Sequence, residues 1–154
     1  MSIRLLEFTL NSHKYAVHLD AVERVVPMVE VTPLPHAPGA VMGIVNLQGR
    51  IIPVFDLRKR FGLEPAEPSL TSQLVLARTA RWTVLLPVDS VIGLAQRSSG
   101  EITHPESIAP GIEYIDGVAA TGDGMVLIHD LDRFLSVEEE QSLRESLNGS
   151  SGIE

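Results

Sequence analysis

The sequence predicts a mostly β protein built as two related halves. Val, Ile and Leu are abundant while aromatic residues make up only 5% of the 154 residues, and a core of β-branched and aliphatic side chains favours strands. The apolar runs are short and bounded by Gly, Pro, Asn or Asp, as strands are. Residues 43–60 align without a gap with residues 117–134, at an offset of 117 − 43 = 74 positions.

Each copy of this repeat predicts a tight turn, a strand and a short helix. Gln48-Gly49 and the 122–124 segment supply turn glycines, which adopt positive φ at little steric cost. Asp56 and Asp130 directly follow the two apolar strands. A carboxylate at this position caps a helix by accepting from its free backbone N–H groups. We prefer this interpretation to the alternative, a pair of catalytic acids.

Upstream of the repeat, Ile3–Leu10 and Lys14–Leu19 predict an antiparallel hairpin with its turn at 11–13. Tyr15–Leu19 resembles Trp82–Leu86 if Pro87-Val88 is treated as an insertion. Further elements are predicted in chain order: a strand over Val25–Val31, one helical turn over Ala37–Met42, and an edge or bulge at Pro53, which has no N–H for a ladder.

The segment Glu64–Ser69 is polar and proline-rich and predicts the boundary between the halves. Residues Gly100–Gly111 predict a surface loop. A capping box at Ser136 predicts a C-terminal helix to about Leu147. Its apolar stripe is thin and predicts weak docking: Val137, Leu143 and Leu147. We therefore expect one domain over residues 1–148, with subdomains centred on 14–63 and 72–135 and a flexible tail at 149–154.

Composition excludes several classes of function. The formal net charge of −8 opposes binding to nucleic acid. The chain has no cysteine, which excludes disulfides and thiolate chemistry. Neither a signal-peptide pattern nor an apolar stretch of about 18 residues is present, so we expect a cytoplasmic protein that does not insert into the membrane.

No catalytic or metal-binding motif is found in the sequence, and we predict neither a cofactor nor an enzyme. The five histidines are scattered without metal-ligand spacing. His129 lies in an apolar strand beside Asp130, but its counterpart in the first copy is Phe55, which favours a space-filling role. The acidic run Glu138–Glu140 with Glu145 is interpreted as a solvated helix face, with an acidic docking surface or a divalent-ion site as the alternatives.

Residues Leu34–Leu63 strongly resemble the CheW family of bacterial chemotaxis coupling proteins. The family pattern is LP-x-AP, then G-[VI]-x-NLRG, then VPV-x-DLR-x-[KR]-[FL]. Its elements in this chain are Leu34–Pro38, Gly43–Gly49 and Ile52–Phe61. With weaker similarity on either side, the resemblance covers roughly Ile3 to Leu147.

The resemblance implies two intertwined five-stranded SH3-like β-barrels with short connecting helices and a C-terminal helix. It also implies a non-enzymatic adaptor that binds the regulatory domain of a CheA-type histidine kinase and the cytoplasmic tip of methyl-accepting chemoreceptors, recruited to receptor arrays at the inner membrane. Val22, Leu74 and Val75 correspond to the receptor-facing groove, although an ordinary core role is as good an interpretation for each. The full set of candidate protein-binding residues is Val22, Arg24, Gly43, Asn46, Gln48, Gly49, Leu74 and Val75.

The chain departs from the family pattern at two of these positions. Gln48 replaces the arginine of NLRG, and Arg24 replaces an acid, with Glu23 one place early. If positions 24 and 48 interact, an acid–base pair has been lost, which motivates an alternative adaptor role in a pathway that does not control motility. A small-molecule sensor or hydrolase around His129 is a third possibility. We also expect Gly43→Arg to impair assembly while leaving the fold intact.

Overall fold

The computed structural model describes residues 2–67, 69–104, 115–121, 124–133 and 137–152. The strands are β1 Ser2–Leu10, β2 His13–His18, β3 Val22–Pro27, β4 Val41–Leu47, β5 Arg50–Phe55, β6 Gln73–Arg78, β7 Thr83–Val88, β8 Ser90–Ser98, β9 Ile102–Thr103, β10 Ile115–Thr121 and β11 Gly124–His129. The α-helices are α1 Leu57–Phe61 and α2 Val137–Gly152, and 3-10 turns span Leu19–Ala21, Ser99–Glu101 and Leu131–Arg133. The fold is therefore mostly β, as predicted.

The strands form two sheets, and each sheet takes strands from both halves of the chain. One has the order β8-β1-β2-β11-β10-β9 and the other β3-β6-β7-β5-β4. Strand β3 pairs with β6 of the second half, and β8 pairs with β1 of the first half. This exchange is the intertwining that the family resemblance implies. The proposed subdomain limits of 14–63 and 72–135 stay a prediction.

The 74-residue repeat is confirmed in detail. The bounds of β4 and β10 differ by 115 − 41 = 74, and those of β5 and β11 by 129 − 55 = 74. Even the irregularity in pairing recurs, between Val41 and Gly43 and again between Ile115 and Gly117. Both predicted caps form, because the Asp56 carboxylate accepts from the N–H of Lys59 at 3.2 Å and that of Asp130 from Asp132 at 3.0 Å.

The predicted alignment of the upstream strands is wrong by two residues. Phe8 pairs with Tyr15 in the β1–β2 hairpin, and Ala77 pairs with Val84 in β6–β7. Each residue of the first pair is separated from its counterpart in the second pair by 69 positions, since 77 − 8 = 69 and 84 − 15 = 69. The structural counterpart of Tyr15 is therefore Val84 rather than Trp82. No insertion is needed, because the hydrogen-bonding register, not the position of the aromatic ring, relates the two hairpins.

Three local predictions also need correction. The strand expected over Val25–Val31 runs instead over Val22–Pro27. The segment expected to form a helical turn contains one tight turn at Gly39-Ala40, closed by the Val41 N–H donating to the Pro38 carbonyl at 2.9 Å, and then begins β4. The loop predicted over Gly100–Gly111 begins with a 3-10 turn and β9, and its residues from 105 onward lie outside the described residues.

Pro53 lies in an inner strand and not at an edge, and the nearby bulge is in its partner strand β4. Ile44, its partner, exchanges both backbone hydrogen bonds with Thr32, at 2.9 and 2.8 Å. In an antiparallel ladder this turns the backbone nitrogen of Pro53 away from β4. The Pro53 nitrogen faces β7 instead. Because β5 pairs with β7 only through Val54 and Leu85, the missing N–H lies on the side of β5 that has the shorter hydrogen-bond ladder.

The core follows the same internal symmetry. One cluster lies in each sheet, comprising Leu5, Ala16, Ala119, Val126 and Ile128 in one and Val45, Ile52, Val54, Leu74, Leu76 and Leu85 in the other. The largest cluster joins the sheets, with Leu6, Phe8 and Leu10 of β1 packed with Val75 and Ala77 of β6 and with β7. The two sheets are thus held together by apolar contact as well as by exchanged strands.

Helix α2 docks more firmly than its thin apolar stripe predicts. Leu143 is fully buried in the shared core cluster. Glu139 and Glu140, predicted to be a solvated face, pair with Arg60 at 2.6 Å and with Arg81 at 2.5 Å. The helix continues past its predicted end near Leu147 to Gly152, while the predicted capping residue Ser136 lies outside the described residues. Neither helix is long and apolar enough, in the described part of the chain, to cross a membrane.

Candidate functional site

The β4–β5 turn carries three of the candidate binding residues, and two of them have a role within the turn. Gln48 and Gly49 both have positive φ, 53° and 89°, as the favoured two-residue hairpin turns require. The Asn46 side chain accepts from the N–H of Gly49 at 2.8 Å. Asn46 and Gly49 therefore shape the turn, whereas the side chain of Gln48 is exposed to solvent and has no such role in the described contacts.

Glu23 occupies a bulge at the start of β3 and is the centre of an ion-pair cluster. Val22 pairs with Ala77 and Arg24 with the next residue, Leu76, so Glu23 is the extra residue. Its carboxylate lies 3.3 Å from Arg50 and 3.4 Å from Arg78. A bulge re-aims a side chain relative to the regular pleat. The cluster of Glu23, Arg50 and Arg78 thereby links β3, β5 and β6.

This geometry corrects the expectation that an acid–base pair has been lost. No hydrogen bond or ion pair joins Arg24 to Gln48 in the described part of the chain. Glu23 pairs instead with Arg50, two places after Gln48. An acid–base pair is therefore present beside positions 24 and 48, and its acidic member is the extra residue of the β3 bulge. Both partners remain partly exposed, with side-chain exposures of 26% and 50%, so the pair contributes little to stability and is accessible to another protein.

The remaining candidate residues separate into surface and core. Arg24 is exposed and Val22 is half-buried at the start of β3. Leu74 and Val75 are fully buried in two different core clusters, so their side chains cannot reach a partner. Of the two roles considered for this pair, burial favours the core.

Gly43 is required by the fold. A Cβ built on it would lie 2.2 Å from the backbone oxygen of Thr32 and 2.9 Å from a side-chain carbon of Val31. The expectation that Gly43→Arg leaves the fold intact is therefore wrong, because any side chain collides with backbone that is hydrogen-bonded to Ile44.

Sequence reasoning missed four exposed apolar side chains. Ile92 and Leu94 are 50% and 70% exposed on β8, the edge strand of the larger sheet. Ile51 and Met125 are 55% and 65% exposed at equivalent places in the two repeats, since 125 − 51 = 74. Exposed apolar side chains grouped on an edge strand are typical of an interaction surface. The alternation of apolar and small or polar residues along β8 was the available signal.

His129 has the environment of a core residue. It is 1% exposed and its ring lies 4.2 Å from that of Phe61. Burial lowers the pKa of His129 to about 3, so its imidazole is neutral at physiological pH. Across the described residues, no group of three or more histidine, aspartate or glutamate side chains has an arrangement that could hold a metal ion.

An all-β domain of two related halves with exchanged strands, exposed apolar edge residues and an accessible ion-pair cluster belongs to the class of protein-binding domains. Comparison with known proteins identifies which one. Residues 4–139 match the model of the CheW-like domain, and the chain belongs to this family.

Relatives of similar length support the assignment. The chemotaxis protein CheW of Rhizobium meliloti is 30% identical over 140 residues, covering 90% of each chain. The CheW protein of Treponema pallidum is 29% identical over 91% of this chain and 86% of that protein. The crystal structure of the scaffolding protein TtCheW from Thermoanaerobacter tengcongensis superposes with a TM-score of 0.80 at 30% identity, covering 90% of this chain and 96% of that one.

Proposed function

We propose that this protein is a chemotaxis adaptor that couples chemoreceptors to a CheA-type histidine kinase without catalysing a reaction. The observation that carries the proposal is the correspondence with chemotaxis proteins named CheW over nine-tenths of both chains, together with the same fold in a scaffolding protein. The proposed partner domains are the regulatory domain of the kinase and the cytoplasmic tip of the receptor. The proposed location is the cytoplasm, at receptor arrays on the inner membrane.

An adaptor must bind two partners at once through separate surfaces. The internal repeat supplies separate surfaces, because Ile51 and Met125 lie at equivalent positions of β5 and β11, which belong to different sheets. The β8 edge with Ile92 and Leu94 supplies another. Contacts that are individually weak become strong when linked, because the second binding event is intramolecular. Rigid β sheets favour this role, since little ordering is needed on binding.

We assign the Glu23 cluster and the exposed residues beside it, Arg24 and Gln48, to the receptor-facing surface. A partly exposed ion pair determines partner choice more than affinity, because a mismatched charge at its position is repelled. The retained pair removes the reason for preferring a pathway unrelated to motility. The burial and low pKa of His129 also give no support to a hydrolase or sensor centred on it.

Binding of purified protein to the two partner fragments tests the proposal. We expect the wild-type protein to bind the kinase regulatory domain and the receptor tip simultaneously, with dissociation constants on the order of tens of micromolar or tighter. Glu23→Arg is expected to weaken receptor binding about 10-fold and leave kinase binding unchanged. Glu67→Arg makes the same charge change on an exposed residue of the connecting segment and is expected to bind both partners normally.

Two results would count against the proposal in different ways. Failure of the wild-type protein to bind either fragment at these concentrations would refute the adaptor function. Equal receptor binding by Glu23→Arg and Glu67→Arg would refute only the placement of the receptor-facing surface.

A further inference from the structure

A polar cleft of about 500 Å³ lies where both halves of the chain meet. Four segments form it: the end of β2 with the following 3-10 turn, the β6–β7 turn, the start of β10, and the end of β11 with its 3-10 turn. The side chains that matter for its chemistry are His18, Asp20, Arg78, Asp116, Asp130 and Asp132. The contacts described above do not explain why a cavity of this size has a polar and mainly acidic lining.

The internal repeat provides an equivalent position within the same chain, and there the space is filled. With the offsets of 69 and 74, Asp20 corresponds to Asp89, Ala80 to Asn11 and Asp132 to Arg58, since 20 + 69 = 89, 11 + 69 = 80 and 58 + 74 = 132. Arg58 is 5% exposed. Its guanidinium pairs with the Asp89 carboxylate and donates from Nε to the Asn11 side-chain oxygen at 2.8 Å.

The cleft has the carboxylate but not the guanidinium. Asp132 takes the place of Arg58, and its short side chain accepts from the N–H of Ala80 at 2.7 Å. Asp20, the counterpart of Asp89, is 89% exposed, and its ion pair with Arg4 is long, at 3.6 Å. The volume occupied by Arg58 in one half is therefore open in the other.

The two basic side chains that line the cleft already have acidic partners, and one of these partners, Asp116, is itself part of the lining. The Nε atom of Arg78 lies 3.4 Å from Glu23, and the Nε2 atom of His18 lies 2.7 Å from Asp116. With four aspartates on the walls, the lining favours a cation. A guanidinium suits it better than an ammonium, because its planar set of donors can bond a carboxylate and a neighbouring oxygen together, as Arg58 does.

We propose that the cleft binds an arginine side chain presented by a partner protein. The guanidinium of that arginine would occupy the position that the guanidinium of Arg58 occupies in the equivalent place of the same chain. The acidic lining alone would not specify a ligand. The occupied equivalent position does, because it shows which group the same architecture accommodates. This inference does not depend on the proposed chemotaxis function, since any partner with a protruding arginine satisfies it.

Titration of the full-length protein with Nα-acetyl-L-arginine methylamide, followed by amide chemical shifts, tests the inference. We expect saturable changes centred on Ala80, Asp116 and Asp132. The matched citrulline derivative, which lacks the charge, should produce none. The lysine derivative at the same ionic strength should bind at least about 3-fold more weakly.

Variants locate the site and control for folding. Asp20→Asn removes an exposed carboxylate and should weaken binding about 5-fold, whereas Glu67→Gln should leave it unchanged. Asp132→Arg rebuilds the occupied arrangement and should abolish binding. The conclusion does not depend on this last variant folding, because Asp20→Asn is decisive by itself.

Several outcomes would overturn the inference. They are an absence of saturation up to about 50 mM, shifts centred outside the cleft, equal binding of the citrulline derivative, or unchanged binding by Asp20→Asn. Free L-arginine forms a separate arm. If it binds at least tenfold more tightly than the capped derivative, the ligand is the amino acid itself and the assignment to a partner protein is wrong.

Discussion

Replacing Gly43 by alanine should destabilise the protein severely, because of one backbone approach. The added Cβ would lie 2.2 Å from the Thr32 oxygen and 2.8 Å from the Thr32 carbonyl carbon. Relief of this contact requires backbone movement that breaks the two hydrogen bonds between Thr32 and Ile44. Two bonds at about 1 kcal/mol each and about 1–3 kcal/mol of overpacking predict a loss of roughly 3–5 kcal/mol in the free energy of unfolding.

Other glycines of the chain provide graded controls. A Cβ at Gly117, the repeat counterpart of Gly43, meets a side-chain carbon of Ile102 at 2.5 Å. Because that side chain can rotate, we expect a loss of about 1–2 kcal/mol. Gly100 has open space around it, and Gly100→Ala should change stability by less than about 0.5 kcal/mol. Urea unfolding monitored by circular dichroism measures all three. Equal midpoints for Gly43→Ala and Gly100→Ala would refute the reasoning.

Two further predictions concern buried polar side chains. Between the ordinary pKa of 6.5 and the lowered value of about 3 for His129, the unfolded chain binds a proton that the native protein does not. The effect of His129 on the free energy of unfolding is therefore fully stabilising above pH 6.5, and this stabilisation is lost as the pH falls below 6.5. On changing from pH 7 to 4.5, His129→Phe, which copies Phe55 of the first repeat, should lose about 2–3 kcal/mol less than wild type in urea unfolding, and equal losses would contradict this. Arg58→Met should cost about 1–2 kcal/mol, because Asp89, which is 40% exposed, and Asn11 both lose their hydrogen-bond donor, and unfolding indistinguishable from that of the exposed neighbour variant Lys59→Met would contradict this.

The parts of the fold that sequence predicts are those specified by local residue patterns. The glycine turns, apolar strands and capping aspartates of the 74-residue repeat are determined within a few residues, and the bounds of these strands repeat without deviation. The exchange of β3 and β8 between the sheets has no local signal. The upstream alignment failed for a related reason, since Tyr15 and Trp82 are both aromatic but occupy different places in their hairpins.

The candidate site was only partly predictable. The turn at Gln48 and Gly49 was predicted from its glycine, and its binding role from the family resemblance, but burial alone shows that Leu74 and Val75 are core residues. The Glu23–Arg50 pair was missed because a bulge changes which residue faces which. A comparison position by position assumes a regular register, and at this point the register is irregular.

The exchange of strands also determines what a break in the chain would do. If the polypeptide were cut in the connecting segment at 64–69, the first fragment would keep β3, β4 and β5 but lose β6 and β7, which lie between them in the sheet. The second fragment would keep β8 without β1, the strand that holds it. Neither piece retains a complete sheet, so the fragments should be unstructured alone and regain the fold only when mixed. The two halves, related though they are, have become obligate components of a single cooperative folding unit.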